Sequence, residues 1–282
     1  MIVDAHQHFW RLDRGDYAFP APGDAVLYRD FLPPDLAPQL AAAGVDQTIA
    51  VQATDTLAET EFLLALACET RTVAGVVGWW DPRQSDCLAR LMAMPHADRL
   101  VGVRPMLQKY DDIGFLLTPQ ADAEVQKMAE LGLTFDALVD CRHLRTLHAF
   151  ARRHSGLSII INHFAKPWRH PDRLDEFWGA MELLAGNPHC CLKLSGYPFG
   201  VAGSAGFADL LSRALTLFGE DRLVWGSDWP VEKREGDYGQ ILETVRSNID
   251  VASRRRIFGE NARRLYRLTG LPRDRGASHQ LG

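Results

Sequence analysis

The sequence predicts an α/β protein with the architecture of a (β/α)8 TIM-type barrel. Two observations support this fold: short apolar, β-branched runs alternate with longer amphipathic stretches, and eight such runs occur along the chain. Eight repeats favour closure into a barrel, whereas five or six would favour an open doubly wound sheet. Because barrels of roughly 250 residues fold as one unit, a single domain is expected over residues 1–282.

The predicted strands are short apolar runs, as expected for strands that are buried on both faces. They cover residues 2–5, 45–52, 73–80, 100–105, 133–139, 157–163, 190–195 and 223–228. The helices between them carry start and stop signals. Thr56 and Glu59 match a capping box at the start of one helix. Pro119 opens a second helix that Gly132 ends, and Pro171 opens a third.

The sequence departs from a minimal barrel at both ends. The first βα loop, residues 9–34, is long and rich in aromatic residues and prolines. Loops of this length in compact domains are usually functional covers or disordered segments, and the aromatic content predicts an ordered flap over the barrel mouth. One extra C-terminal helix is expected beyond Val251, and residues 273–282 are expected to form a frayed tail.

Composition and charge exclude several classes of function. The net charge is −5, from 31 basic and 36 acidic residues, which gives no electrostatic support for binding nucleic acid or an anionic membrane. No apolar run approaches the roughly 20 residues of a membrane helix, and no charged-then-apolar signal peptide opens the chain. The five cysteines form no Cys-x-x-Cys pair, which predicts reduced thiols and a cytoplasmic location. A homodimer is compatible with the sequence, which does not determine the number of subunits.

Two histidines follow the first predicted strand with one residue between them. Since side chains of an extended chain alternate with period 2, His6 and His8 can point the same way. Two imidazoles that converge at a strand end suit a metal ion, or an oxygen whose developing charge needs stabilising. Ordinary hydrogen-bonded side chains are the alternative interpretation of this pair.

A barrel places its active site at the carboxyl ends of its strands, so chemically capable residues are expected there. Arg104, His163 and Asp228 lie at the ends of the fourth, sixth and eighth predicted strands, and the fifth contains Asp136. A lone histidine or aspartate at a strand end is usually a hydrogen-bonded capping group. The joint placement of these residues with the histidine pair predicts one shared active site.

Seven segments along the chain carry a family resemblance. They are DAHQHFW at 4–10, GVRP at 102–105, FDALV at 135–139, NHFAKP at 162–167, KLSG at 193–196, WGSDWP at 225–230 and FGENARRLY at 258–266. In this order they resemble the amidohydrolase superfamily of the amidohydrolase 2 type, specifically its sugar-lactonase-like branch. The resemblance implies a barrel hydrolase that opens a cyclic ester such as L-fuconolactone, L-rhamnonolactone or a dicarboxylate lactone.

The same resemblance implies roles for four residues. His6, His8 and His163 would hold a divalent ion or donate directly to the carbonyl oxygen. Asp228 would take a proton from water and would also touch the metal; its alternative role is to cap the turn before Trp229. Relatives with two metals use a carbamylated lysine at the fourth strand, where this chain has an arginine that cannot form such a bridge. One divalent metal, zinc, or no metal is therefore expected.

Seven residues are predicted to contact the small-molecule substrate: Arg104, Asp136, Lys166, Trp10, Trp79, Tyr110 and Trp229. The arginine can form bidentate bonds to a carboxylate or to hydroxyls, the lysine can reach a lactone oxygen, and the rings can stack on a sugar. The alternatives are an Arg104–Asp136 salt bridge in the barrel wall, a solvent-facing Lys166 and aromatic residues that pack in the core.

Two other functions are compatible with these motifs. One is a decarboxylase or amide hydrolase from a neighbouring amidohydrolase branch, and the other is a non-catalytic barrel that binds a sugar acid. The intact set of Asp228 and three histidines favours a hydrolase, because a binding protein needs no unneutralised base beside the carbonyl group.

Overall fold

The computed structural model describes residues 1–268, except for the side chains of residues 200–202, 204 and 205; the predicted frayed tail, 273–282, lies outside this part. The strands are β1 Val3–Gln7, β2 Gln47–Val51, β3 Val73–Gly78, β4 Leu100–Val103, β5 Thr134–Ala137, β6 Ile159–Ile161, β7 Cys190–Leu194 and β8 Leu223–Trp225. The α-helices are α1 Pro33–Ala43, α2 Leu57–Glu69, α3 Cys87–Met92, α4 Pro119–Leu131, α5 Leu144–Arg153, α6 Leu174–Ala185, α7 Phe199–Phe218, α8 Tyr238–Ser247, α9 Val251–Arg255 and α10 Asn261–Leu265.

The eight strands form one parallel sheet in chain order, from β1 to β8. A bridge between Gln7 and Trp229 joins the last strand to the first, and the backbone N–H of His8 donates to the Trp229 carbonyl at 2.7 Å. The predicted barrel is therefore confirmed. Seven of the strands are shorter than predicted: all seven end earlier, before the loops that carry the polar side chains, and β2, β5 and β6 also begin later.

The helix signals are confirmed in part. The Thr56 hydroxyl accepts from the backbone N–H of Glu59 at the start of α2, but the Glu59 carboxylate accepts from the Ala53 N–H, outside the helix. Helix α4 begins at Pro119 and ends before Gly132, as predicted. Pro171 opens a single 3-10 turn, and α6 begins only at Leu174.

The extra C-terminal helix is present and closes the amino end of the barrel. Helices α9 and α10 are joined by a π-helical turn, Arg256–Glu260, and Gly259 lies against the backbone of Met1. Ala262 and Tyr266 pack into the barrel interior with residues of the strands, including Val3. The carboxyl ends of the strands remain free to carry a site. No helix within residues 1–268 has the length and apolar character of a bilayer span.

The first βα loop is an ordered flap, as predicted. Trp10 and Phe31 pair as an antiparallel bridge that closes the loop at its base. The Tyr17 hydroxyl donates to Glu59 at 2.5 Å, and Asp16 accepts from the Thr56 hydroxyl at 2.7 Å. These contacts anchor the flap to the start of α2.

Candidate active site

The carboxyl ends of β1, β6 and β8 bring His6, His8, His163 and Asp228 together. The His6 and His8 Nε2 atoms are 3.2 Å apart. Asp228 Oδ1 lies 3.3 Å from His8 Nε2, 3.5 Å from His6 Nε2 and 3.9 Å from His163 Nε2. All four side chains are almost fully buried. Residues that are far apart in the chain thus converge on one carboxylate oxygen, as the sequence predicts.

Unusual backbone conformations aim two of these side chains. Four successive residues, from His163 to Lys166, have positive φ angles between 52° and 56°. Asp228 also has a positive φ of 66°, and its N–H donates to the His6 carbonyl at 2.8 Å. Left-handed conformations cost non-glycine residues about 1–2 kcal/mol each, and such strain is concentrated at functional sites. The strained residues follow β6 and β8, the two strands whose carboxyl ends face the histidine pair.

Hydrogen bonding determines which nitrogen of His6 and His8 carries a proton. His8 Nδ1 lies 2.7 Å from the Val51 carbonyl, which can only accept, so Nδ1 is protonated and Nε2 presents a lone pair. His6 Nε2 lies 3.2 Å from Arg104 Nη1, which can only donate, so this nitrogen also presents a lone pair. Two lone pairs and the Asp228 carboxylate therefore face one small volume. The Arg104 guanidinium offsets part of the repulsion among them, and a metal ion bound to His6 Nε2 would replace the hydrogen bond from Arg104, because that nitrogen has a single lone pair.

The three atoms fit a single divalent metal ion. Tetrahedral zinc with bonds of about 2.0–2.1 Å separates its ligand atoms by about 3.3 Å. The separations among His6 Nε2, His8 Nε2 and Asp228 Oδ1 are 3.2, 3.3 and 3.5 Å. Among the residues that the structure describes, His6, His8 and Asp228 form a group of possible metal ligands whose ligand atoms all lie within 4.8 Å of one another. His163, predicted as a further ligand, does not belong to this group, although its Nε2 lies 3.9 Å from Asp228 Oδ1.

The electrostatic environment keeps the histidines neutral and Asp228 ionised. Burial, reinforced by nearby cations, lowers the pKa of His6 and of His163 well below the usual value. Burial also opposes ionisation of the Asp228 carboxyl, but the surrounding groups, the Lys166 ammonium among them, outweigh that effect, so its pKa lies below the usual range. Burial lowers the pKa of Arg104 to about 10, which leaves the guanidinium charged at neutral pH. The site therefore combines neutral imidazoles, an anionic base and a fixed cation.

A cavity of about 350 Å³ opens onto this cluster. Arg104, Lys166 and Trp10, three of the predicted substrate contacts, line it. The Lys166 ammonium donates to the Gln108 side chain, and burial lowers the pKa of Lys166 to about 7. Trp10 is fully buried, whereas Phe19 of the flap, which also lines the cavity, is 37% exposed. The flap therefore forms part of the cavity wall, as predicted.

Asp136, predicted to contact the substrate, lies beneath the site in the barrel interior. It is fully buried, and Lys193 Nζ donates to it at 2.5 Å. The Tyr266 hydroxyl and the Asn162 amide donate to the same carboxylate oxygen at 3.0 and 3.1 Å. Asp136 is thus occupied by an ion pair with Lys193. This arrangement corrects both the predicted substrate contact and the alternative salt bridge with Arg104.

Three predicted aromatic contacts also lie elsewhere. Trp79 and Tyr110 line a separate small cavity on the β3 and β4 side of the barrel. Trp229 is fully buried and packs edge-on against Phe9 and Phe31. A ligand in the active-site cavity would not touch these three rings. The sequence identifies large aromatic residues near strand ends but does not determine which way their rings turn.

Two residues after β7 support His163 and were not predicted as part of the site. The Ser195 hydroxyl lies 2.9 Å from His163 Nδ1. Gly196 has a φ of 61°, and a Cβ atom there would lie 2.4 Å from His163 Nδ1 and 3.1 Å from Asp228 Oδ2. Both belong to the KLSG segment at the carboxyl end of a predicted strand, which is the signal that could have identified them.

Gln52 and Gln108 support the two cationic side chains of the site. Arg104 donates to the Gln52 carbonyl, and the Gln52 amide donates back to the Arg104 carbonyl at 2.8 Å. Gln52 is the last residue of the second predicted strand, so its position was available from the sequence. Gln108 lies in the loop after β4 and carries no such signal.

Comparisons with known proteins identify the family of this chain. A family model described as Amidohydrolase matches residues 3–268. An L-fucono-1,5-lactonase from Burkholderia ambifaria is 40% identical, over 94% of this chain and 95% of that protein. An L-fucono-1,5-lactonase from Burkholderia multivorans is 35% identical, over 94% and 96%. The crystal structure of an amidohydrolase from Burkholderia multivorans with bound zinc superposes with a TM-score of 0.88 at 32% identity, covering 95% of this chain and all of that one.

Proposed function

This chain belongs to the amidohydrolase family, and we propose that within it the substrate is L-fucono-1,5-lactone. The broader activity is that of a hydrolase that opens the ester bond of a sugar-acid lactone. One structural observation supports the assignment more than any other: Asp228 Oδ1 lies within 3.9 Å of three imidazole nitrogens at the mouth of the barrel. The carbonyl carbon of a lactone would have to approach this group.

The reaction adds water to the carbonyl carbon and breaks the bond from that carbon to the ring oxygen. Asp228 is ionised, so it can take the proton that water loses as its oxygen attacks. The ring oxygen leaves as an alkoxide and takes up a proton, which yields the open hydroxy acid. We assign the base role to Asp228 because the other acidic residue predicted for the site, Asp136, is buried in an ion pair.

His6, His8 and Asp228 would hold one divalent ion, and we propose zinc. Such an ion would supply Lewis acidity toward the carbonyl oxygen. Arg104 adds a fixed positive charge 3.2 Å from His6, where negative charge on that oxygen would develop. His163 lies outside the ligand group, and its Nδ1 contacts a hydroxyl that can donate or accept. We therefore assign His163 to hydrogen bonding with the reacting oxygens.

Lys166 would also contact the substrate, because it lines the same cavity as Asp228. It lies at the end of the left-handed turn that also presents His163, and Arg169 lies close to it on the cavity wall. With a pKa of about 7, Lys166 can donate a hydrogen bond or a proton near neutral pH. These polar groups suit the hydroxyls and the ring oxygen of a sugar lactone.

A lactone panel assayed with and without a chelator tests both the activity and the metal. The purified protein is expected to release acid from L-fucono-1,5-lactone faster than spontaneous hydrolysis, followed with a pH indicator. Chelation is expected to lower the rate at least about 10-fold, and added zinc is expected to restore it, since the metal supplies Lewis acidity. Full activity in a metal-free preparation, verified by elemental analysis, would contradict the metal proposal, and a rate equal to the blank would contradict the lactonase proposal.

Replacing Ser195 with alanine is expected to lower kcat about 10-fold and to leave KM nearly unchanged. The hydroxyl positions His163, and hydrogen-bonding partners behind site residues typically contribute 10- to 100-fold. Ser195→Thr keeps the hydroxyl and is expected to recover most of the lost rate. Equal losses in both variants would indicate that Ser195 acts only through packing.

A further inference from the structure

A second cavity, of about 110 Å³, adjoins the active site on the β7 and β8 side of the barrel. Its walls include Gly196, Asp228, Val231 and Arg234, which also line the main cavity. Asp228 therefore belongs to the walls of both spaces. A substrate whose carbonyl group lies at this carboxylate has one of its neighbouring substituents beside the second cavity, which we call the side pocket.

The lining of the side pocket is mainly apolar. Tyr197, Phe199 and Phe207 form one wall, with ring centroids 4.9 to 5.2 Å apart. Ile241 and Val245 lie one turn apart on α8 and form another wall. Polar residues also line the pocket, and both Glu232 carboxyl oxygens are buried; beside Asp228 and Arg234 the polar lining residues are Ser195, Ser227, Glu232 and Glu235. Such a lining favours an apolar group of a few atoms at most.

The substituents beside the carbonyl carbon of a 1,5-lactone differ in polarity. On one side lies C2, which carries a hydroxyl group. On the other side lies the ring oxygen, followed by C5 with its exocyclic carbon. In a 6-deoxy sugar lactone this exocyclic carbon is a methyl group, the one apolar substituent on the ring. An apolar pocket that shares Asp228 with the active site therefore suits this methyl group and not the hydroxyls.

The main cavity provides the complementary polar surface. Arg104, Gln108, Lys166 and Arg169 line it, and each carries hydrogen-bond donors. A lactone with its methyl group in the side pocket would direct its ring hydroxyls toward this surface. Resting on the proposed lactonase function, we propose that the side pocket binds the C5 methyl group and gives the enzyme a preference for 6-deoxy sugar lactones.

Three lactones and one pocket-filling variant test this assignment. The substrates are L-fucono-1,5-lactone and its two analogues that carry hydrogen or a hydroxymethyl group in place of the C5 methyl. The wild-type protein is expected to show kcat/KM about 10-fold higher for the methyl compound than for the hydrogen analogue, the usual discrimination for one carbon in an apolar pocket. Val245→Phe fills the pocket and is expected to remove this preference by lowering kcat/KM for the methyl compound and for the bulkier hydroxymethyl analogue, while leaving the hydrogen analogue unchanged.

Two further variants make the result interpretable. Val251→Phe makes the same substitution at a position that is 76% exposed and is expected to behave as wild type. Phe207→Leu widens the pocket and is expected to raise kcat/KM for the hydroxymethyl analogue about 5-fold relative to the methyl compound. If thermal unfolding shows that Val245→Phe is not folded, the methyl pocket is tested by Phe207→Leu alone. The quantity to compare with wild type is then the ratio of kcat/KM for the hydroxymethyl analogue to kcat/KM for the methyl compound.

The outcomes separate this proposal from the proposed function. Equal kcat/KM values for the three lactones in the wild-type protein would leave lactone hydrolysis intact and overturn the methyl pocket. The methyl pocket is likewise overturned if folded Val245→Phe slows all three substrates equally, or if Phe207→Leu leaves the hydroxymethyl ratio unchanged. Hydrolysis of none of the three by the wild-type protein would overturn both proposals together.

Discussion

Replacing Asp228 with asparagine is expected to lower kcat by at least about 10²-fold while leaving the fold intact. The amide cannot accept the proton that water loses, and general base catalysis is typically worth about 10²–10⁴-fold. Asparagine has the same shape and tolerates the left-handed conformation that this residue adopts, with its φ of 66°. Steady-state kinetics with L-fucono-1,5-lactone, together with a thermal unfolding curve, measures both expectations.

The pH dependence of this variant gives a second test. Below its pKa, Asp228 is protonated and cannot act as a base, so wild-type activity falls on the acid side. Since the pKa of this carboxyl lies below its usual range, that acid limb is expected below the ordinary titration range of an aspartate. The limb should be absent from the residual activity of Asp228→Asn. Asp81→Asn, at a carboxylate equally buried but outside the main cavity, is the matched control and should retain wild-type kcat.

Replacing Gly196 with alanine is expected to reduce kcat/KM at least about 10²-fold. The added Cβ atom would lie 2.4 Å from His163 Nδ1, so the imidazole ring must move away from Ser195 and Asp228. Displacements of about 1 Å within a catalytic constellation can cost about 10²-fold in rate. The positive φ of 61° adds a backbone penalty, which is expected to lower the free energy of unfolding by about 1 kcal/mol.

A second glycine separates the contact with His163 from the backbone penalty. Gly44 has a φ of 66°, and a Cβ atom there would meet no atom within 4 Å. Gly44→Ala is therefore expected to lose similar stability and to keep its activity. Unchanged kinetics in Gly196→Ala would show that the ring can move without consequence for the reaction, and would remove this glycine from the positioning machinery.

The fold could be predicted because local and global signals agree. Eight apolar runs, separated by amphipathic stretches, leave few topologies other than a closed parallel barrel. The errors occur at element ends, where Pro171 opens only a 3-10 turn and α6 begins at Leu174. A proline is compatible with the first turn of either kind of helix, so the sequence cannot distinguish them.

The site residues that could be predicted from the sequence are those at the carboxyl ends of the strands. His6, His8, His163 and Asp228 converge because the carboxyl ends of all strands lie at one end of the barrel. The direction of a side chain relative to the barrel axis is not visible in the pattern. Asp136 points inward and downward to Lys193, and Trp229 turns outward to the flap residues. Single-domain organisation over 1–282, a homodimer and a cytoplasmic location stay predictions.

The phenol of Tyr266, in the segment that follows β8, completes the hydrogen bonding of a buried ion pair inside the barrel. Lys193 donates to this hydroxyl at 2.7 Å, and the hydroxyl donates to Asp136, so the buried ion pair is completed from the C-terminal segment. On a ribosome, every strand emerges before this tyrosine does. The buried Lys193–Asp136 pair therefore acquires its full set of hydrogen bonds only after residue 266 has been synthesised.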